Sequence, residues 1–319
     1  MRDEYASLGL DRQATFAGCR NMADGKADEV VEINFQETKP LLTQVAGHKA
    51  GMLDIGNGRV LKTVQRPPRG TCELNFYRKV FDVSCRDENI LSLRRFLPAF
   101  HGTVVKDGVM YMIMDNVCAK FKNPSVLDIK IGFVRTDPEA TEEKAIRDRQ
   151  KCPYAETLGF QLSGMMVYNE NTGAIDRLEK RACHKISEDF IIVDGLGKFF
   201  GLKQRLRKDA ICALIKKIND IEKWFSSQTS FAFYASSLLI IYDSPSPGEC
   251  GSKHTDSTTG HNDRICENHT DRLETDAELA LVDVRIIDFA HVFPSSKIDE
   301  NVLFGIRSLL RYLDQLLQM

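Results

Sequence analysis

The 319 residues carry 43 Lys and Arg against 45 Asp and Glu, a formal net charge of -2. That balance excludes a general attraction to nucleic acid or acidic membranes, so no nucleic-acid partner is expected and any basic site must be local. The length suffices for one large domain or two lobes; nine cysteines without paired short spacings, a start (MRDEYASLGLDRQATF) without an apolar signal region and no stretch near a membrane span fit an intracellular, reduced, soluble chain.

Residues 1–38 are polar and lack sustained periodicity, which reads as a flexible N-terminal segment. A β-rich lobe is expected over residues 39–115. Asn57-Gly58, between the β-prone runs Gly51-Met-Leu-Asp-Ile55 and Arg59-Val-Leu-Lys-Thr-Val64, is a hairpin signal, and Asp107-Gly108 marks a second hairpin between Phe100 and Met114. No GxxxxGK[ST] or GxGxxG occurs here, so these glycines are weak as a phosphate loop and good as turns. Lys62 lies inside an apolar strand run. Thr71 is placed to cap a helix on which Leu74, Tyr77 and Phe81 share a face, with Glu73 near its start. A strand lysine followed by a helix glutamate is how nucleotide kinases hold a phosphate-contacting lysine; a solvent-exposed lysine is the plain alternative. Ile90–Phe100 reads as another helix ending at Leu97-Pro98. Asp115-Asn116-Val117 follows the last apolar strand and suits a hinge whose backbone receives adenine.

Residues 116–319 form the expected larger lobe. In Pro124-Ser-Val-Leu-Asp-Ile-Lys-Ile-Gly132, a strand period of two places Val126, Asp128 and Lys130 on one face and Leu127, Ile129 and Ile131 on the other. A carboxylate and an ammonium side by side on a buried face cost desolvation and invite a functional explanation, whereas a half-buried strand with solvated charges is the common case. Thr141 with Glu142-Glu143 begins a helix near 140–152 on which Lys144, Arg147 and Lys151 share a face, a stripe for several phosphates or a solvated surface. Leu158–Tyr168 reads as a strand, Asp209–Phe225 as a core helix and Phe231–Asp243 as one apolar element. The cluster from Lys198 to Lys208 is a weak anionic-lipid or polyphosphate surface, more simply solvated. Residues 244–278, rich in Ser, Thr, Pro, Gly, Asp and Asn, read as a flexible insertion. Within it Cys250, His254, His261, Cys266 and His269 match no structural zinc spacing. Leu279–His291 contains a strand ending at Asp288, suited to magnesium or to capping a turn, and Val302–Leu317 is a helix facing the core.

Strand lysine, helix glutamate, hinge, strand Asp-x-Lys, basic helix and strand-ending Ile-Asp-Phe follow a two-lobed kinase plan without the protein-kinase HRDxxxxN loop. Pro124-x-x-x-Asp128-x-Lys130-x-Gly132, Ser236-Ser-Leu-Leu239 and Ile287-Asp288-Phe289 together resemble the inositol polyphosphate kinase family, with the likeness running from about Leu41 to the C-terminus apart from 244–278. Arg66-Pro-Pro-Arg-Gly-Thr-Cys-Glu-Leu-Asn-Phe-Tyr77, Phe233-Tyr-Ala-Ser-Ser-Leu-Leu239, Leu303-Phe-Gly305 and the short segment from Gly132 to Gly159 are most similar to its multikinase branch. The hexakisphosphate kinases share the same three motifs and stand as the alternative.

The resemblance implies an α+β, two-lobed kinase fold, with a small β-rich N-lobe and a larger C-lobe. It implies ATP- and magnesium-dependent phosphorylation of soluble inositol polyphosphates, from tris- and tetrakisphosphate towards pentakisphosphate, with a phosphoinositide headgroup as a further acceptor. By the same likeness, Lys62 contacts ATP phosphates with Glu73 paired to it, Asp115 and Val117 read adenine through backbone groups, and Asp288 binds magnesium. Asp128 either orients and deprotonates the attacking hydroxyl or binds ribose, Lys130 stabilises the transferring phosphoryl, His291 stands beside the acceptor, and Lys144, Arg147 and Lys151 bind its phosphates. Two positions depart from the family pattern: Arg147 replaces a glutamine and Met166, in Gly164-Met-Met166, an arginine. A non-catalytic inositol phosphate scaffold is the rival reading. A monomer shared between nucleus and cytoplasm is expected.

Overall fold

A computed structural model describes residues 33–47, 51–247 and 280–319. Most of the expected N-terminal segment and nearly all of the 244–278 insertion, including its cysteines and histidines, lie outside these residues.

The first sheet is antiparallel and ordered β1 (Lys39–Pro40), β2 (Met52–Gly56), β3 (Arg59–Thr63), β5 (Val109–Asp115), β4 (Phe100–Lys106). Both expected hairpins form. Asn57 and Gly58 have φ of 51° and 70°, and Asp107 and Gly108 have 50° and 75°. Positive φ at both central residues is the turn that matches the twist of paired strands, which is why Asn-Gly and Asp-Gly occur there.

Helix α1 (Arg69–Val80) follows β3. It begins after Pro68 rather than at Thr71, because proline has a helix-compatible φ and lacks the amide that a first turn would leave unpaired. Gly70 is required there: a Cβ would sit 1.9 Å from the Gln65 carbonyl oxygen. Helix α2 (Glu88–Leu93) is shorter and earlier than the expected 90–100 helix. The Asp87 carboxylate caps it by accepting from the Asn89 and Ile90 amides, and a 3-10 turn over Arg94–Phe96 ends it before Pro98.

The second sheet, also antiparallel, is ordered β11 (Val282–Ile287), β10 (Ser237–Asp243), β6 (Pro124–Ile131), β7 (Phe160–Tyr168), β8 (Ile175–Leu178). The Asp-x-Lys strand β6 is thus its central member, paired on both edges. Between β6 and β7 lie α3 (Glu142–Lys151) and α4 (Ala155–Leu158). After β8 come α5 (Lys180–Cys183), a π-type turn over Ile191–Leu196, α6 (Gly197–Phe199) and the long α7 (Lys208–Ser227). A two-stranded ribbon joins β9 (Phe231–Phe233) to β12 (Val292–Pro294), and α8 (Glu300–Leu317) closes the chain. The apolar run Phe231–Asp243 is therefore two strands in different sheets. The chain turns between them at Ala235, whose φ is 54°.

Residues on β6 alternate as their spacing requires. Leu127, Ile129 and Ile131 enter the main core with Ile211, Leu214 and Ile218 of α7 and Leu309 and Leu313 of α8. Val126 faces the other way, into a small cluster with Cys118, Phe121, Met166 and Ile241. The main core continues into the first sheet's helices, where the Phe76 ring of α1 stacks on Phe289 with centroids 4.4 Å apart. This packing fixes α1, and hence Glu73, against the turn that follows β11. No helix of the described residues is long and apolar enough to cross a membrane.

Candidate active site

Three chain segments far apart in sequence deliver a charged cluster to one place. Lys62 on β3 donates to Oε1 of Glu73 on α1 at 2.7 Å and to Oδ1 of Asp288 at 3.0 Å. Lys130 on β6 lies 3.4 Å from Oδ2 of the same Asp288, and donates to the Ala235 carbonyl at 2.8 Å and to Ser237 Oγ at 3.4 Å. The backbone is bent to make this meeting. Asp288 leaves β11 with φ of 65°, its carbonyl accepts from Ser236 Oγ at 2.8 Å, and the Phe289 amide donates to Glu73. Left-handed φ at Ala235 and Asp288 is disfavoured for residues with a Cβ, by roughly 1 kcal/mol or more each, and such strain collects at functional sites.

Electrostatics follow from the packing. Burial works against the Lys62 ammonium, but Glu73 and then Asp288 raise its pKa above the ordinary lysine value. Burial likewise opposes the Asp288 carboxylate, yet Lys62 and Lys130 hold it well below the usual carboxylate range. Asp128 behaves differently. It is 4% exposed, and burial pushes its pKa up to about 6 while Lys130 pulls the other way. Its Oδ1 has no hydrogen-bond partner among the described residues. A buried acceptor without a donor is costly and marks a place that a hydroxyl can complete. Asp128 stands opposite Leu239 on β10 and Gly164 on β7, beside a bulge in the β6–β7 pairing.

Of the residues expected to bind the acceptor, His291 and Lys144 meet in a second group. His291 Nδ1 lies 2.7 Å from Oδ2 of Asp137, and Lys144 Nζ lies 3.3 Å from the same oxygen. Thr141 caps α3 as expected, accepting from the Lys144 amide. Arg147 Nε donates to the Glu143 carbonyl at 3.2 Å, and Lys151 pairs with Asp148 at 3.4 Å with its side chain 66% exposed. Lys144 is the member of the basic stripe tied to His291; Arg147 and Lys151 point their pairings along α3 itself. Asp137 and Arg69 were not singled out by the sequence reading. Asp137 precedes Pro138 and reads as a helix-start aspartate, and Arg69 opens α1, yet its charge acts on His291. Arg135 is a third: it donates to the Asp148 carbonyl at 2.9 Å and to Gln161, which stands opposite Lys130 on β7, so it ties α3 to the sheet.

In the segment expected to form the hinge, the Asp115 amide donates to the Ala99 carbonyl and the Asp115 side chain lies 2.6 Å from His101 Nε2. Val117 packs with Val45 and Leu239 against the small cluster under Val126, an apolar floor suited to a flat base. Met166 belongs to this cluster. Arg177, its partner on β8, donates to Met166 Sδ at 3.1 Å and to the carbonyls of Leu42 and Gln44, so a cation stands next to the departing position but is engaged with backbone. The expected basic surface at 198–208 is largely committed within the fold. Lys198 pairs with Asp176, Lys203 with Asp194 and Arg207 with Asp209, and Lys208 donates to the Leu317 carbonyl.

Comparison with known proteins agrees with this geometry. The model of the family described as "Inositol polyphosphate kinase" matches residues 111–314. Inositol polyphosphate multikinase of Homo sapiens is 30% identical over an alignment of 370 positions, covering 87% of this chain and 88% of that protein. Inositol hexakisphosphate kinase 1 of Rattus norvegicus is 32% identical over 234 positions, covering 66% of this chain and 53% of that protein. A solved inositol phosphate multikinase from S. cerevisiae, in complex with ADP and Mn2+, has a TM-score of 0.59 at 20% identity, covering 81% of this chain and 99% of that one. At that identity the last likeness speaks for the fold.

Proposed function

The chain belongs to the inositol polyphosphate kinase family, and on that premise we propose that it transfers the γ-phosphoryl of magnesium-bound ATP to hydroxyls of inositol tris- and tetrakisphosphate, towards pentakisphosphate. Kinase activity on inositol polyphosphates comes with the family; the acceptors, the metal and the residue roles are the proposal. Its main support is the convergence of Lys62 and Lys130 on Asp288 beside the unpartnered Oδ1 of Asp128.

The donor set suits a hard cation bound by few protein groups. Asp288 offers carboxylate oxygens, and among the described residues no group of three or more His, Cys, Asp or Glu is arranged to hold a metal. A magnesium ion would therefore be held by Asp288 together with phosphate oxygens. Bound ATP with magnesium supplies the phosphoryl group and neutralises much of the phosphate charge. Lys62, oriented by Glu73, binds the phosphates from the first sheet. Lys130, anchored by the Ala235 carbonyl, faces the same charge from the second sheet. Fixed donors of this kind contribute on the order of 3–4 kcal/mol each to transition states in closed sites. Asp128 Oδ1 either orients the attacking hydroxyl and takes its proton, or accepts a hydrogen bond from ribose. Phosphoryl transfer needs little covalent help, so alignment and charge carry most of the rate. Lys144, Arg147, Lys151, Arg69 and His291 bind the acceptor, and backbone groups of Asp115 and Val117 receive adenine.

Soluble acceptors are favoured over a phosphoinositide because the 198–208 cations are already paired. The division into lobes at 39–115 and 116–319, a monomeric state and residence in both nucleus and cytoplasm complete the proposal. The test is incubation of purified protein with ATP, magnesium and a panel of inositol phosphates and a phosphoinositide, with products resolved by position. Transfer to tris- and tetrakisphosphate is expected. Transfer to hexakisphosphate alone would favour the hexakisphosphate kinase reading, and absence of any product would leave a binding scaffold.

A further inference from the structure

We propose that Asp137 is a positioning residue for the acceptor site, fixing His291 in its Nδ1–H tautomer and holding Lys144 beside it. The proposal deepens the acceptor-side reading above and rests on it. Asp137 lies in the segment between β6 and α3 and is 8% exposed. Its Oδ2 meets His291 Nδ1 at 2.7 Å and Lys144 Nζ at 3.3 Å, while Oδ1 accepts the Glu139 amide at 3.1 Å. One carboxylate therefore joins the turn after β11, which also carries Asp288, to the first turns of α3.

An ionised carboxylate can only accept, so the hydrogen of this short contact belongs to His291 Nδ1. A neutral imidazole with Nδ1 protonated leaves Nε2 as a hydrogen-bond acceptor. Lys144 and Arg69 are the cations acting on His291, and Asp137 is the carboxylate acting on it. The group thus offers one acceptor nitrogen with the Lys144 ammonium held close to it through Asp137. That set matches an acceptor whose hydroxyl sits next to phosphates: the hydroxyl donates to Nε2 and the neighbouring phosphates meet the cations. Asp137 keeps the two kinds of recognition in register, and it offsets the cations before the anionic acceptor arrives.

The tautomer is read directly from side-chain nitrogen NMR of labelled protein, with the His291 signal assigned by its loss in His291→Asn. The expected wild-type result is the Nδ1–H form; an Nε2–H form would overturn the proposal without any variant being needed. Asp137→Asn keeps the shape but presents an amide that can donate, which drives the imidazole to the opposite tautomer. It is expected to raise KM for inositol trisphosphate by about 10- to 100-fold with KM for ATP within about twofold. An unchanged acceptor KM in this variant would also overturn the proposal. If His291→Ala and Lys144→Ala both retain wild-type KM for inositol trisphosphate, the acceptor-side reading itself fails, whatever the tautomer.

Discussion

Lys62 and Glu73 stand 11 positions apart in the chain and 2.7 Å apart in space, joined across the gap between β3 and α1. Glu73 is 1% exposed, and its Oε1 also receives the Phe289 amide, so this carboxylate aligns both a lysine and the turn bearing Asp288. Glu73→Gln keeps the volume but removes the charge that compensates Lys62. Breaking one side of a buried pair costs about 3–5 kcal/mol, near 10 °C in thermal midpoint for a chain of this size. The expected result is that loss together with a kcat/KM for ATP at least about tenfold lower, measured by thermal unfolding and steady-state kinetics.

Lys130→Ala and Asp288→Asn separate turnover from capture. Lys130 is anchored by the Ala235 carbonyl at 2.8 Å, so it is expected to act on the phosphoryl from a fixed position. Removing it is expected to lower kcat by about 10²- to 10³-fold while inositol trisphosphate affinity, measured by calorimetry, changes far less. Near-normal turnover in either variant would contradict the site assignment.

Asp128 gives a pH signature of opposite sign in activity and stability. Its folded pKa of about 6 lies above the ordinary aspartate value, so the folded state holds its proton more tightly than the unfolded chain does. The stability it contributes is present below about pH 4 and lost as pH rises through about 6, an effect of roughly 2–3 kcal/mol. Activity should move the other way, falling below about pH 6 as the acceptor oxygen is protonated. Asp128→Asn is therefore expected to raise the thermal midpoint at pH 7.5 by about 5 °C and to abolish most turnover; a lowered midpoint would contradict the assigned cost of the buried charge.

Gly164→Ala tests the proposed adenine site at Asp115 and Val117. A Cβ at this position would meet the Val45 carbonyl oxygen at 2.0 Å, and Val45 packs with Val117 and Leu239. The segment cannot simply slide, because Arg177 holds the Leu42 and Gln44 carbonyls. A loss of about 1–3 kcal/mol is expected, with a raised KM for ATP and little change in KM for the acceptor, read by unfolding and by kinetics with each substrate varied in turn.

Much of this was legible because local signals and long-range order agreed. Asn57-Gly58 and Asp107-Gly108 specify their turns by backbone chemistry alone, and the two-residue spacing of Asp128 and Lys130 specifies a shared face. Lys62, Glu73 and Asp288 stood out by their elements and their order along the chain, the roles expected of them came from the family resemblance, and the fold brings all three together. What could not be read depended on partners. The break at Ala235 lies inside a run interrupted only by Ser236 and Ser237, and strand periodicity on either side carries no sign that the chain changes sheets there. Pro68 displaced Thr71 as the start of α1 because the proline supplies what a cap would otherwise have to satisfy. Asp137 was indistinguishable from an ordinary aspartate before a helix until His291 and Lys144 stood against it, and the partners of Lys198 and Lys203, Asp176 and Asp194, show only in the fold.

Both oxygens of Asp288 are already in use, Oδ1 by Lys62 and Oδ2 by Lys130. A carboxylate oxygen can accept twice, so a divalent ion could share Asp288 with the lysines, but a bare ion would add a third cation to a carboxylate already facing two and would bring no anion to offset it. Phosphates provide that anion. The expected outcome is that free cation titrated into the protein alone binds weakly, and that the rate tracks the concentration of the metal–nucleotide complex rather than that of the free ion.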